Sequence, residues 1–173
     1  ALHLAIMRRD DGMARSLLEH GADPNAQVTN WTALRRASSD WHFHPALVGA
    51  TSFWLAARFI QPAIMRLLVN HGADPLFVHN ADYIGAVGTF GAVRRTEKTT
   101  ALMAAVGMGG PRRMGAFIDP NPSEVEALTL EAVKLAVELG IDTKAVDQEG
   151  RTAADEARYE SVVEYLTTNR SRR

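Results

Sequence analysis

Six histidines and no cysteine limit the metal chemistry open to this chain to imidazole and oxygen donors. His42 and His44, two positions apart, would point to one side of an extended loop, and His79 lies in a second loop downstream. Three such imidazoles suit zinc, nickel or copper. A closed site needs a fourth ligand, for which Asp40 or Asp82 is the available carboxylate. The plainer reading of these histidines is surface or packing, so no metal and no cofactor is assigned. The missing cysteines also remove disulfides, a thiol nucleophile and every thiolate-held zinc or iron–sulfur site. No G-x-S-x-G elbow, phosphate loop or H-E-x-x-H helix occurs. Gly107-Met108-Gly109-Gly110 lacks the lysine and preceding strand of a phosphate cradle and reads as a flexible link. Carboxylates are plentiful, yet nothing sets two of them facing each other across a pocket, and an enzyme is not expected.

A second set of residues suits recognition. Trp31, Arg35, Arg36, Trp41 and Phe43 fall within residues 26–48, and Tyr83, Phe90, Arg94 and Arg95 within 77–99. Aromatic rings and guanidinium groups on projecting loops offer large desolvatable area with a polar handle, the composition of binding hot spots. The competing reading is that the rings fold back and roof the loops they stand on, since long structureless loops are unusual in a domain.

The elements that must position these loops repeat along the chain. Gly21-Ala22-Asp23-Pro24 recurs as Gly72-Ala73-Asp74-Pro75 and, more weakly, as Gly140-Ile141-Asp142. Each follows an aliphatic cluster at Leu17-Leu18, Leu67-Leu68 or Leu135. Upstream stands a second block: Ala1-Leu2-His3-Leu4-Ala5, Thr51 to Ala57, Thr100 to Ala105, and Thr152 to Asp155. Thr51 to Gly72 spans 21 positions, Ala1 to Gly21 spans 20, and Gly140 to Thr152 spans 12.

These two blocks in register resemble the ankyrin repeat, with its T-P-L-H-x-A-A opening and L-L-x-x-G-A-D closing. The resemblance implies an all-α solenoid of about four helix–turn–helix repeats, at about 1–25, 49–76, 100–145 and 150–168. It also implies a module that binds another protein through its concave face. His3, Gly21, Asp23, Thr51, Gly72, Asp74, Thr100, Gly140 and Thr152 are the motif positions it carries over. Only His3 keeps the opening histidine; Trp54, Met103 and Asp155 replace it later. Ala1 sits where the residue after an opening threonine belongs, so the array reads as truncated at its start.

The physical roles of the motif follow from its residue types. Thr51 and Thr100 should cap helices by accepting a bond from a first-turn amide. Ala56-Ala57 and Ala104-Ala105 let inner helices approach closely, the leucines face the core, and the glycines supply a left-handed helix end. Where the resemblance implies 12 positions from closing to next opening, Gly21 to Thr51 takes 30 and Gly72 to Thr100 takes 28. These are two inserted fingers, 26–48 and 77–99. Residues 32–37 could be a short helix, and 77–99 a glycine-rich hairpin or irregular loop. A third insertion, 107–122, separates the two helices of one repeat, after which Ser123 and Glu126 form a capping-box pattern.

Composition sets the remaining bounds. Apolar residues at 46% and charged residues at 23% over 173 positions fit one folded domain spanning 1–173. Nineteen basic against twenty acidic residues give no field for a polyanion, so neither nucleic acid nor an anionic membrane is expected as partner. Another protein, met by a monomer, is expected instead. The alternative from another class is a ligand or metal site beneath the fingers, built on His42, His44 and the aromatics and serving an enzyme upstream of Ala1.

Overall fold

A computed structural model describes residues 1–32, 43–86, 92–110 and 121–169. Among them the helices fall into four consecutive packed pairs. These are α1 (Leu2–Met7) with α2 (Asp11–Glu19), α3 (Ser52–Arg58) with α4 (Pro62–Asn70), α5 (Ala101–Ala105) with α6 (Val125–Glu138), and α7 (Ala153–Glu156) with α8 (Glu160–Asn169). The first helix of each pair is short and, at α3 and α5, buried along its whole length. Small residues make this possible: Ala56, Ala57, Ala104 and Ala105 are all buried at the contact between α3 and α5.

The threonines cap as their position predicts. Thr51 Oγ1 accepts from the Trp54 amide at 3.4 Å, and Thr100 Oγ1 from Met103 at 3.3 Å. Thr152 forms a capping box with Asp155, whose carboxylate accepts from both the Thr152 amide and hydroxyl at 2.7 Å. Asp155 thus uses the position of the lost opening histidine to bind its own helix start. The capping box expected of Ser123 and Glu126 does not form. Asn121 instead accepts from the Ser123 amide at 3.2 Å, α6 begins at Val125, and Glu126 accepts from Ser161 across the helix pair at 2.6 Å.

Gly21, Gly72 and Gly140 end their helices at φ between +84° and +92°, the left-handed conformation for which glycine has no steric cost. The closing aspartates then build identical turns. Asp23, Asp74 and Asp142 accept from the amide two residues on at 2.8, 2.8 and 2.9 Å. Asn25 clips the first such turn to the second: its Nδ2 donates to the Gly72 carbonyl at 2.9 Å, and its Oδ1 accepts from Asp74 at 2.7 Å. At the far end of the same pairs, Arg9 donates to the Phe59 carbonyl and Gln61 to the Ile6 carbonyl.

An all-α architecture is not what the chain adopts. Strands β1 (Val78–Ala86) and β2 (Ala92–Thr100) form a two-stranded antiparallel sheet, paired from Val78↔Thr100 to Ala86↔Ala92. Alternating side chains and a glycine-bearing connection favour a hairpin over an irregular loop. The first finger is tied at its root: the Val28 amide donates to Ala50 and its carbonyl accepts from Gly49, while Thr32 donates to the Phe43 carbonyl at 3.0 Å. The short helix considered for 32–37 lies, beyond Thr32, outside the described residues.

Candidate interaction surface on the fingers

The hairpin has two chemically distinct faces because strand side chains alternate. His79, Ala81 and Tyr83 of β1 point inward and are buried, with Thr99 buried opposite His79. Asn80, Asp82 and Ile84 point outward and are exposed, opposite Lys98, Thr96 and Arg94.

The inward face is a roof, not a binding surface. His79 is 1% exposed, lies 4.5 Å between ring centroids from Trp54, and its Nε2 donates to the Ala46 carbonyl at 2.9 Å. Its other edge faces the Gly49 backbone. Burial is the main cause that pulls its pKa below the ordinary imidazole range. His44 meets Tyr83 edge to face at 5.5 Å, and its Nδ1 accepts from the Ala46 amide at 3.1 Å. Two of the three histidines considered as ligands are therefore engaged separately in packing the two fingers together. His42 lies outside the described residues. Among the described residues no three histidine, aspartate or glutamate side chains group as a metal would need.

Tyr83, expected to meet a partner, is also buried, and its hydroxyl donates to Glu97 at 2.7 Å. Burial first, then that bond, push the phenol well above its usual range. Glu97's second oxygen accepts from the Gly110 amide. The stretch read as a flexible link is thus docked: Met108 is buried, Gly109 sits at φ +85°, and a Cβ there would meet Trp54 at 2.7 Å. Glycine is needed because the backbone lies directly on the indole. Phe43 is half-buried against the core.

The outward face carries what remains open. Ile84 is 68% exposed there, and Arg94, 74% exposed in its side chain, donates to Asp82 through Nε at 2.8 Å and also through Nη2; Val93, opposite Gly85 on the other face, is 48% exposed. That bond is the main cause holding the Asp82 carboxyl below its ordinary range. Arg95, paired with Tyr83 on the other face, is exposed and reaches across Gly85, where a Cβ would come within 3.2 Å of its side chain. Trp31, at the root of the first finger, is 52% exposed. Arg35, Arg36, Trp41 and Phe90 lie outside the described residues. Ile84 and Val93 were not singled out from sequence as contacts; for Ile84, its place in an alternating strand beside Asp82 was the available signal.

His3, the one retained opening histidine, reaches the Ala26 carbonyl with Nε2 at 2.9 Å, and Trp54 at the same repeat position reaches Thr99 Oγ1 at 3.2 Å. His20 and His71, each just before a closing glycine, bond the carbonyl four residues back at 2.7 and 2.9 Å. The family model described as ankyrin repeats (many copies) matches residues 2–44. The solved ankyrin repeat domain of Bcl-3, described as a unique member of the IkappaB protein family, shares its fold at a TM-score of 0.54 and 19% identity.

The chain has the ankyrin-repeat fold. The likeness to the Bcl-3 domain covers 96% of this chain and 50% of that one, so the ankyrin array here spans about half its length. No curated protein matches. The ankyrin assignment accounts for the helix pairs, the closing turns and the place of the hairpin between pairs. Among the described residues no helix is long and apolar enough to cross a membrane.

Proposed function

We propose that this chain is a non-catalytic protein-interaction module, one domain of four ankyrin repeats that acts as a monomer. Ankyrin arrays in general serve protein–protein interaction. One observation supports the placement of the site: the second finger, locked by its buried inner face, holds Ile84 and Arg94 outward on a paired strand, with Val93 and Arg95 exposed on the other face nearer the tip. A rigid finger loses little conformational entropy when it docks, so apolar and guanidinium contacts made there convert efficiently into affinity. Trp31 on the neighbouring finger extends the same chemistry, and the concave side of the helix pairs completes the surface.

The test is affinity capture from the source lysate with the native chain and with a variant carrying Ile84→Asp, Arg94→Ala and Arg95→Ala, both checked for folding by circular dichroism. A protein held by the native chain and lost by the variant supports the finger site. Equal capture by both moves the site to the inner helices, and capture by neither rejects the module.

A further inference from the structure

The two fingers meet at a single buried residue. Ala46 lies in the one 3-10 helical turn, Pro45–Leu47, near the end of the first finger, and a histidine grips it on either side. Its amide donates to His44 Nδ1 at 3.1 Å, and its carbonyl accepts from His79 Nε2 at 2.9 Å. Each bond calls for an uncharged ring. A backbone amide can only donate, so His44 Nδ1 must be unprotonated to accept from it. A carbonyl can only accept, so His79 Nε2 carries that ring's proton and Nδ1 is where a second would go. That Nδ1 is buried, faces the Gly49 backbone and forms no hydrogen bond among the described residues. A proton there would place a charge in the seam between the fingers.

Every element around the seam offers it little compensation. From β1, Tyr83 meets His44 edge to face, and from α3, Trp54 packs on His79 with an uncharged ring. From β2, Thr99 lies opposite His79, and Glu97 lies two residues nearer the tip. Among the described residues Glu97 is the one carboxylate that acts on His79, and its oxygens accept from the Tyr83 hydroxyl and the Gly110 amide. Arg58, toward the other end of α3, acts on Glu97 in turn. Burial outweighs the opposing pull of the Ala46 backbone, Glu97 and the Gly49 backbone, so the folded His79 ring resists a second proton.

We infer that the joint between the fingers is an acid-operated latch: proton uptake by His79 and His44 undoes both grips on Ala46 and releases the second finger from the first and from Trp54 beneath it. The helix pairs outlast the joint, because α4 and α6 bury mainly aliphatic side chains that no proton alters. Loss of a protein partner on acidification follows from the latch only if the finger is the docking surface, and so rests on that reading. The latch itself does not.

Hydrogen exchange on the full chain, labelled with nitrogen-15, tests the latch with no partner present, so a failed capture experiment leaves it standing. The reporters are the Ala46 amide and the Trp54 indole N–H. Below about pH 6 their protection should fall about tenfold per pH unit for each ring that takes up a proton on opening. It should stay lower throughout than that of the Leu68 and Leu135 amides inside α4 and α6. His79→Gln combined with His44→Asn keeps a donor for the Ala46 carbonyl and an acceptor for its amide without a titrating ring, and should hold the protection level. The latch is overturned if Ala46 and Leu68 are equally protected, since the joint then opens only when the whole chain unfolds. It is overturned too if Ala46 protection ignores pH, or if the double variant loses protection as the native chain does. Should that variant fail to fold, the ring resonances of the native chain decide. Both rings titrating only as Ala46 loses protection supports the latch, and either ring titrating while Ala46 stays protected overturns it.

Discussion

The Trp54 indole donates to Thr99 Oγ1 at 3.2 Å, joining the second helix pair to the end of a strand 45 residues further on. Thr99 directly precedes Thr100, the cap of α5. One buried bond thus connects an inner helix, the finger above it and the start of the next inner helix. In the first pair, His3 makes the corresponding reach to Ala26. The tryptophan that replaces the histidine keeps a ring N–H donor and adds buried area.

Trp54→Phe should therefore cost about 1–3 kcal/mol, because it leaves a buried hydroxyl short of its donor while keeping most of the ring. Trp54→Ala should cost about 3–5 kcal/mol through the lost area and the cavity it leaves. Urea denaturation followed by circular dichroism measures both. A loss of equal size in the two variants would show that the ring's area contributes nothing beyond the bond.

Gly109→Ala and Gly21→Ala separate two costs of replacing a glycine. Both residues sit at positive φ, but a Cβ on Gly21 meets open space, whereas on Gly109 it meets Trp54. Gly21→Ala should lose about 1–2 kcal/mol, the left-handed backbone term alone. Gly109→Ala should lose an additional ~1–3 kcal/mol from overpacking and shift the tryptophan emission. Equal destabilisation of the two would mean that the 107–110 stretch is not seated on the indole.

His79 makes stability depend on pH. Its folded pKa lies below the ordinary imidazole value, so near that value the unfolded chain takes up a proton that the native chain refuses. The stabilisation is complete above the unfolded pKa of about 6.5 and is lost as pH falls below it toward the folded value. His3, lowered likewise by burial, adds in the same direction. The urea midpoint should drop between pH 7 and pH 5, and His79→Phe should flatten that drop. A midpoint that rises on acidification would contradict the buried neutral ring.

Replacing Arg94 or Asp82 should leave the melting temperature unchanged, since both side chains are exposed and their bond competes with water. Ile84→Asp should likewise leave folding intact while abolishing capture of the partner. Thermal melts of the three variants beside the capture assay separate a surface role from a structural one.

The repeat frame was legible because its signals are local. A threonine three residues before a free amide, a glycine after an aliphatic run and an aspartate two residues before an amide each act within one turn of chain. The roof was not legible in the same way. That Tyr83 turns inward to Glu97 while Ile84 turns out depends on a strand register set by contacts with Trp54 and His44, far away in sequence. Gly109 looked like slack because a glycine that moves and a glycine that touches an indole read alike. The capping box was misplaced because Asn121 competes successfully for the Ser123 amide.

The finger is out of proportion to the helix it leads into. Nine residues of strand extend about 30 Å at roughly 3.3 Å each, against about 8 Å for the five residues of α5 at 1.5 Å each. The finger is a lever with its fulcrum at the packing of His79 on Trp54. A partner seated at Ile84, as proposed, would pull at the long arm, and the resisting torque would come from a few short contacts at the root. Stiffness at that fulcrum sets how firmly a load at the tip is borne, so a change at Gly109 or Thr99 would loosen the hold on a partner that neither residue touches.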